Sequence, residues 1–470
     1  MIDLRNLTIH KAHESLKNGD FTVTELVDAY LSVIKEKNPS INAYVEVFSD
    51  LAVQIQKAES MFADGTATLM TGIPVSLKDN MLVTGHIASA GSKMLENYKA
   101  SYDSGITKQL KNQGAIIMGR SNMDEFAMGS STETSFYGIT RNPVNELYVP
   151  GGTSGGAVAT VAMDGALVAL GSDTGGSVRQ PASFCGVVGM KPTYGNVSRF
   201  GIVAMASSFD QVGPIGKNVA DTEILYNAIC DYDKNDSTSI PKEERKSSPL
   251  KKRLGIPNSF LTGDGIDKEV LENFKESCAK LEKAGYELVD ISLPLIKYSL
   301  AVYYIIQPAE LSTNLSRFDG IRYGFSKEAD NLFDVYAKTR GEGLGKEARR
   351  RILLGTYILS HGYYDAYYNK ACNVREAIKK ELLDVFADVD AIITPTTPFP
   401  PFKFGEKIDD PLSMYMSDIF TVPSNIAGIP ALSVPSGVTS TGLPLGLHIM
   451  ASHFCEENMF TIGKDFEKLV

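Results

Sequence analysis

Tryptophan is absent from this 470-residue chain, and cysteine and histidine are scarce, at five and six residues. The tryptophan gap carries no functional meaning. The cysteines, Cys185, Cys230, Cys278, Cys372 and Cys455, are odd in number, scattered, and free of CxxC pairs. That argues against a disulfide framework and a thiolate metal site, and predicts free thiols in a reducing cytoplasm. No run of 18 apolar residues occurs. The longest candidate, residues 157–170, is interrupted by Asp164 and Gly165, so no membrane span is expected. The opening MIDLRNLTIHKAHESLKNG has no apolar targeting core. Positive charge is in deficit, with 46 Lys and Arg against 56 Asp and Glu, a net charge of −10. The basic stripe of a direct nucleic-acid binder is missing.

What is present is ordinary globular material. Apolar residues make up 43% of the chain, and a chain this long can bury a large core. Thr22-Val-Thr-Glu25 forms a capping box, followed by apolar residues at helical spacing. Short apolar runs at 73–77, 115–119, 166–170, 391–394 and 432–435 are bounded by Gly, Pro or Asn and read as buried strands. Helical stretches are expected at 107–113, 155–163 and 220–230. The alternation predicts an α/β protein with a mostly parallel sheet. Residues 231–253 are polar, charged and proline-bearing, and read as a surface connection. A helix-rich region is expected over about 254–386, with a return to the core over 387–470. The whole of 1–470 then forms a single domain, with a core at about 70–230.

Glycine and hydroxyl residues concentrate in two segments, PGGTSGGA (150–157) and GSDTGGSVR (171–179). Thr153 and Ser177 stand 24 positions apart. Glycines beside a strand end allow close backbone approach, and successive N–H groups can converge into a nest for negative charge. Such a nest suits a phosphate or the oxyanion of an acyl transfer. Neither segment matches GxxxxGK[ST] or GxGxxG, which disfavours phosphate. Simple strand-to-helix turns are the bland alternative. A serine nucleophile needs a base. None of the six histidines, His10, His13, His86, His361, His448 and His453, lies in either segment, although such groups assemble in space. Lys78 ends the apolar run GIPVSLKDN, and a lysine base must be neutral, hence desolvated or near another cation. The residues alone do not choose among these.

GIPVSLKDN, PGGTSGGA and GSDTGGSVRQPASFCGVVGMKPTYG together resemble the amidase signature family. That resemblance implies the amidase signature fold, a large mixed, mostly parallel sheet covered by helices on both faces, and a Ser–cisSer–Lys triad. Residue by residue, it implies Ser177 as acyl-ester nucleophile and Lys78 as base. The middle position falls on Thr153, where the family has serine; Ser154 is the neighbouring hydroxyl. The oxyanion is then held by backbone N–H groups of Thr174, Gly175, Gly176 and Ser177. No metal is expected.

Further segments, among them MDEFAMGSSTETSFYG, KPTYGNVSRFGIVAMASSFDQVGPIG and RRILLGTYILSHGYYDAYY, resemble the branch of that family that serves tRNA-dependent amidotransferases. The branch implies a glutaminase subunit of a carbon–nitrogen ligase that uses glutamine as amido donor. Its ammonia converts Glu-tRNA(Gln) to Gln-tRNA(Gln), or Asp-tRNA(Asn) to Asn-tRNA(Asn). It also implies a cytoplasmic heterotrimer in which a B subunit handles tRNA and uses ATP and Mg, and a small C subunit ties the glutaminase to B. This chain itself would hold no cofactor. The branch further implies Arg351 for the glutamine carboxylate, Asp418 for its ammonium, and Tyr304 beside them. An Asp173–Arg179 pair is expected near the nucleophile in a structural role. A stand-alone small-amide amidase and a non-catalytic scaffold subunit remain the alternatives.

Overall fold

The structure, a computed structural model, describes residues 2–262 and 265–470. Eleven strands form one sheet: β1 (Tyr44–Val47), β2 (Pro74–Lys78), β3 (Ile116–Ser121), β4 (Val168–Asp173), β5 (Val188–Lys191), β6 (Gln211–Gly216), β7 (Arg253–Ile256), β8 (Glu287–Asp290), β9 (Ala391–Pro395), β10 (Ala431–Val438) and β11 (Pro444–Ala451). Their order is β1-β3-β2-β4-β6-β5-β10-β11-β9-β7-β8. The five apolar runs singled out in the sequence are β2, β3, β4, β9 and β10. The capping box at Thr22 starts the helix Val23–Ile41, with both reciprocal hydrogen bonds present.

The sheet is mixed, as expected, but its parallel share is smaller than expected. Parallel pairing joins β2 to β3, β2 to β4, β7 to β8 and β7 to β9. The other six neighbouring pairs are antiparallel. The cause lies in strands with weak sequence signals. A tight turn, closed by Thr439 N–H donating to the Leu443 carbonyl at 2.8 Å, folds β10 back onto β11. β6 (QVGPIG) carries glycine and proline yet pairs antiparallel with both β4 and β5. The region 254–386 is helix-rich, but it also supplies β8 at the sheet edge.

Successive side chains along a strand point to opposite sides, and both faces are buried in the central strands, though not at the β8 edge. In β4, Val168 and Leu170 join one apolar cluster and Ala169 another. In β9, Ala391 and Ile393 join the first cluster, and Ile392 a third. Helices 9–18, 23–41 and 456–467 contribute to the first cluster, 155–162 and 179–185 to the second, and 299–314 and 370–385 to the third. This explains why the strands read as unbroken apolar runs rather than alternating ones. The carboxyl ends of β2 and β4 lie side by side, since Leu77 pairs with Leu170 in parallel register. Lys78 ends β2 and Asp173 ends β4. A crevice at such strand ends is where open α/β sheets bind ligands.

Candidate active site

Lys78 is fully buried. Its Nζ donates to Thr153 Oγ1 at 2.6 Å, to Ser154 Oγ at 2.8 Å, and to the Ser172 carbonyl at 3.3 Å. Burial pushes its pKa down to about 7, against the pull of the Asp124, Asp173 and Asp210 carboxylates. The environment of Lys78 thus makes a neutral amine accessible near pH 7.

The two hydroxyls it touches are not equivalent. Ser154 Oγ also donates to the Ser172 carbonyl at 3.1 Å and accepts from the Ser172 N–H at 3.2 Å, so its bonding capacity is filled. Thr153 Oγ1 has Lys78 as its hydrogen-bond partner, and its proton stays available. The Gly152–Thr153 peptide is cis. Gln180 and Asp124 frame it. Gln180 Oε1 accepts from the Gly152 N–H at 2.9 Å. A side chain on Gly152 would drive its Cβ into Asp124 Oδ2, so only glycine fits.

Ser177 is half-buried and sits on the loop that leaves β4. Its carbonyl accepts from the Ser154 N–H at 3.0 Å, which ties the two Gly-rich segments together. Among the described residues, no hydrogen bond joins its hydroxyl to Thr153. Of the four N–H groups expected to face an oxyanion, that of Gly176 is committed elsewhere: it donates to Asp173 Oδ1 at 3.0 Å. The reason is the Asp173 carboxylate under the loop, which also accepts from the Val178 N–H at 3.2 Å. The N–H groups of Thr174, Gly175 and Ser177 make no hydrogen bond among the described residues, which leaves three donors. Gly176 has φ +139° and packs so closely against Thr421 that an added Cβ would collide with its hydroxyl, so no other residue fits there.

Asp173 and Arg179 do pair, and they do so under the loop. Arg179 is fully buried and binds the carboxylate through Nη2 and Nε, both at 2.9 Å. Burial alone would push the Asp173 carboxyl up, but the charge and hydrogen bonds of Arg179 hold it below the usual range. Arg179 also donates to Ser424 Oγ, Asn425 Oδ1, the Thr421 carbonyl and the His448 ring. Burial and Arg179 hold His448 well below its ordinary pKa. This histidine serves the arginine and makes no hydrogen bond to Ser177 among the described residues.

Asp418 and Tyr304 meet: Tyr304 donates to Asp418 Oδ2 at 3.2 Å, and Ser130 donates to the same oxygen at 3.1 Å. Burial pushes the Asp418 carboxyl up to about 7, opposed by those two hydrogen bonds and by Arg351. The loop after Asp418 touches the nucleophile loop, since Thr421 Oγ1 donates to the Gly175 carbonyl at 2.7 Å. Tyr303 packs against Gly175, with its hydroxyl 2.9 Å from where a Cβ would stand. Arg351 is buried on the helix Lys346–Ile358. Its guanidinium lies 5.5 Å from the Tyr304 ring and pairs with Glu347 at 2.6 Å, not with Asp418. A cation and an anion therefore flank Tyr304 without neutralising each other. A cavity of about 340 Å³ opens here, with Arg351, Ser130, Ser131 and Tyr415 among its walls. Ser177 is not among them. The sequence did not point to Ser130, Gln180 or Asp124. All three lie inside the segments that carried the resemblance, but no spacing singled them out.

A sheet of this topology, with a buried lysine bonded to hydroxyls of a Gly-rich segment, fits the class of amidases. The Amidase family profile matches residues 25–460, and the chain belongs to that family. Among its relatives, the A subunit of glutamyl-tRNA(Gln) amidotransferase from Thermoanaerobacter pseudethanolicus is 49% identical, covering 99% of this chain and 97% of that protein. The protein of the same name from Syntrophus aciditrophicus is 47% identical, covering 99% and 98%. The solved A subunit of glutamyl-tRNA(Gln) amidotransferase from Thermotoga maritima is 41% identical and superposes with a TM-score of 0.82, covering 100% of this chain and 96% of that one.

Proposed function

We propose that this chain, as one amidase domain over residues 1–470, is the glutaminase subunit of a tRNA-dependent amidotransferase. Neutral Lys78 draws the proton from Thr153 as Thr153 draws one from Ser177. Ser177 Oγ attacks the side-chain amide carbon of glutamine. The N–H groups of Thr174, Gly175 and Ser177 hold the developing oxyanion. Collapse expels ammonia, which takes the proton back through the relay, and leaves a glutamyl ester on Ser177. Water then attacks that ester by the same route and releases glutamate.

Free glutamine is a zwitterion, and Arg351 and Asp418, which do not pair with each other, suit it. Arg351 uses Nε for Glu347 and keeps Nη2 for a carboxylate. Both hydrogen bonds to Asp418 end on Oδ2, so Oδ1 is open to an ammonium group. In this reading ammonia passes to the partner B subunit in the cytoplasm, with tRNA, ATP and Mg handled by B and the C subunit tying the two together. The observation that carries the reading is the 2.6 Å contact of buried Lys78 with Thr153. The test is ammonia release from glutamine by the chain together with whatever co-purifies. Two companion chains and glutamine-dependent ammonia support it. Equal turnover of simple amides by the chain alone would replace it with a stand-alone amidase, and no turnover in the complex with a scaffold subunit.

A further inference from the structure

Gln307 lies on the helix Ser299–Asn314, one turn beyond Tyr303, and is fully buried. Its Oε1 accepts from Nη1 of Arg351 at 3.1 Å, and its Nε2 has no partner among the described residues. A guanidinium only donates, so Oε1 must face it, and the amide cannot turn to satisfy Nε2. A buried donor without a partner destabilises a fold. Methionine or leucine would fill similar space without that cost. Packing therefore gives no reason for glutamine at this position, whereas Arg351 does.

Arg351 is held at several points. Nε donates to Glu347 Oε1 at 2.6 Å. The Tyr304 and Tyr415 rings lie 5.5 and 5.7 Å from its guanidinium carbon. Gln307 fixes Nη1, while Nη2 makes no hydrogen bond among the described residues. Glu347 is shared with Arg350, at 2.8 and 2.7 Å. Without Gln307 the fork would be tethered to an acceptor at Nε alone. A planar guanidinium reads a carboxylate through two parallel bonds only when its plane is set.

We propose that Gln307 is a positioning residue that sets the Arg351 fork for the α-carboxylate of glutamine. It thereby favours an amino-acid amide over a simple amide. This rests on the glutaminase reading above. The test compares wild type with Gln307→Met in the full-length chain and the chains that co-purify with it. Substrates are glutamine and its α-carboxamide, which lacks the carboxylate. KM for glutamine is expected to rise about tenfold with kcat within about twofold, while kcat/KM for the α-carboxamide stays unchanged. Calorimetric Kd values in a Ser177→Ala background repeat the comparison without turnover. Equal losses for both ligands, a fall in kcat alone, or no change would overturn the proposal. A wild-type complex that leaves glutamine intact would instead strike the glutaminase reading, and the binding comparison would still report on Gln307.

Discussion

When the pH falls from about 8 to about 6, two buried groups of the site change charge. Lys78, pushed down to about 7 by burial, gains a proton and with it loses its proposed role as base. Asp418, pushed up to about 7 by burial, loses the charge proposed to hold the substrate ammonium. Both events disable the free enzyme, so they multiply in kcat/KM. A group with its midpoint at 7 loses about tenfold of its active form over this range, so kcat/KM should fall about 100-fold. In the loaded enzyme the bound ammonium keeps Asp418 ionised. Only Lys78 then titrates, and kcat should fall about tenfold. The assay is initial-rate ammonia release at saturating and at low glutamine. The logarithmic slope at low pH should approach two for kcat/KM and one for kcat. Asp418→Asn should reduce the first slope to one. A slope of one in both profiles would remove Asp418 from the account. An acid limb for kcat centred near 10, the range of an ordinary lysine, would remove neutral Lys78 as the base.

Three substitutions probe the rest of the site. Thr153→Val removes the hydroxyl that Lys78 contacts and that the proposed relay uses, and should lower kcat by about 10²–10⁴-fold. Ser154→Ala should leave most of kcat but cost about 1–3 kcal/mol of stability by urea unfolding, because Ser172 and Lys78 each lose a buried partner; the reverse pattern would make Ser154 the relay. Arg179→Met strands the Asp173 carboxylate, and should cost about 3–5 kcal/mol at neutral pH. Because Asp173 is held below its unfolded value, its stabilising share is complete above about pH 4 and lost as the pH falls further, so the gap between wild type and Arg179→Met should narrow in acid. Arg351→Lys keeps the charge but loses the planar fork, and should raise KM for glutamine about tenfold or more with kcat retained.

The parts of the fold legible in the sequence were those with local signals. β2, β3, β4, β9 and β10 announce themselves as apolar runs, and the Thr22 capping box marks its helix. β6 and β8 did not, because Gly213 and Pro214 interrupt one and the other is a short, half-polar edge strand. Pairing direction was hidden as well, since it depends on which strands the chain places side by side. At the site, local composition pointed to a nest, but the base came only from a family resemblance. The difference in bonding between Thr153 and Ser154 was out of reach, because it depends on Ser172, which fills one hydroxyl and not the other. Gly176 was misjudged for a similar reason: Asp173 captures its N–H from below the loop. Gln307 could not be found at all, because its acceptor meets Arg351 across 44 residues of sequence.

The central claim is an ester on Ser177, and the direct measurement is to trap it. The chain, with the chains that co-purify with it, is mixed with labelled glutamine, quenched in acid within the first turnover, and mapped by peptide mass. The account predicts a glutamyl group on the peptide that carries Ser177, absent from Ser177→Ala. Ammonia release with the label on another residue, or with no covalent adduct at all, would contradict it.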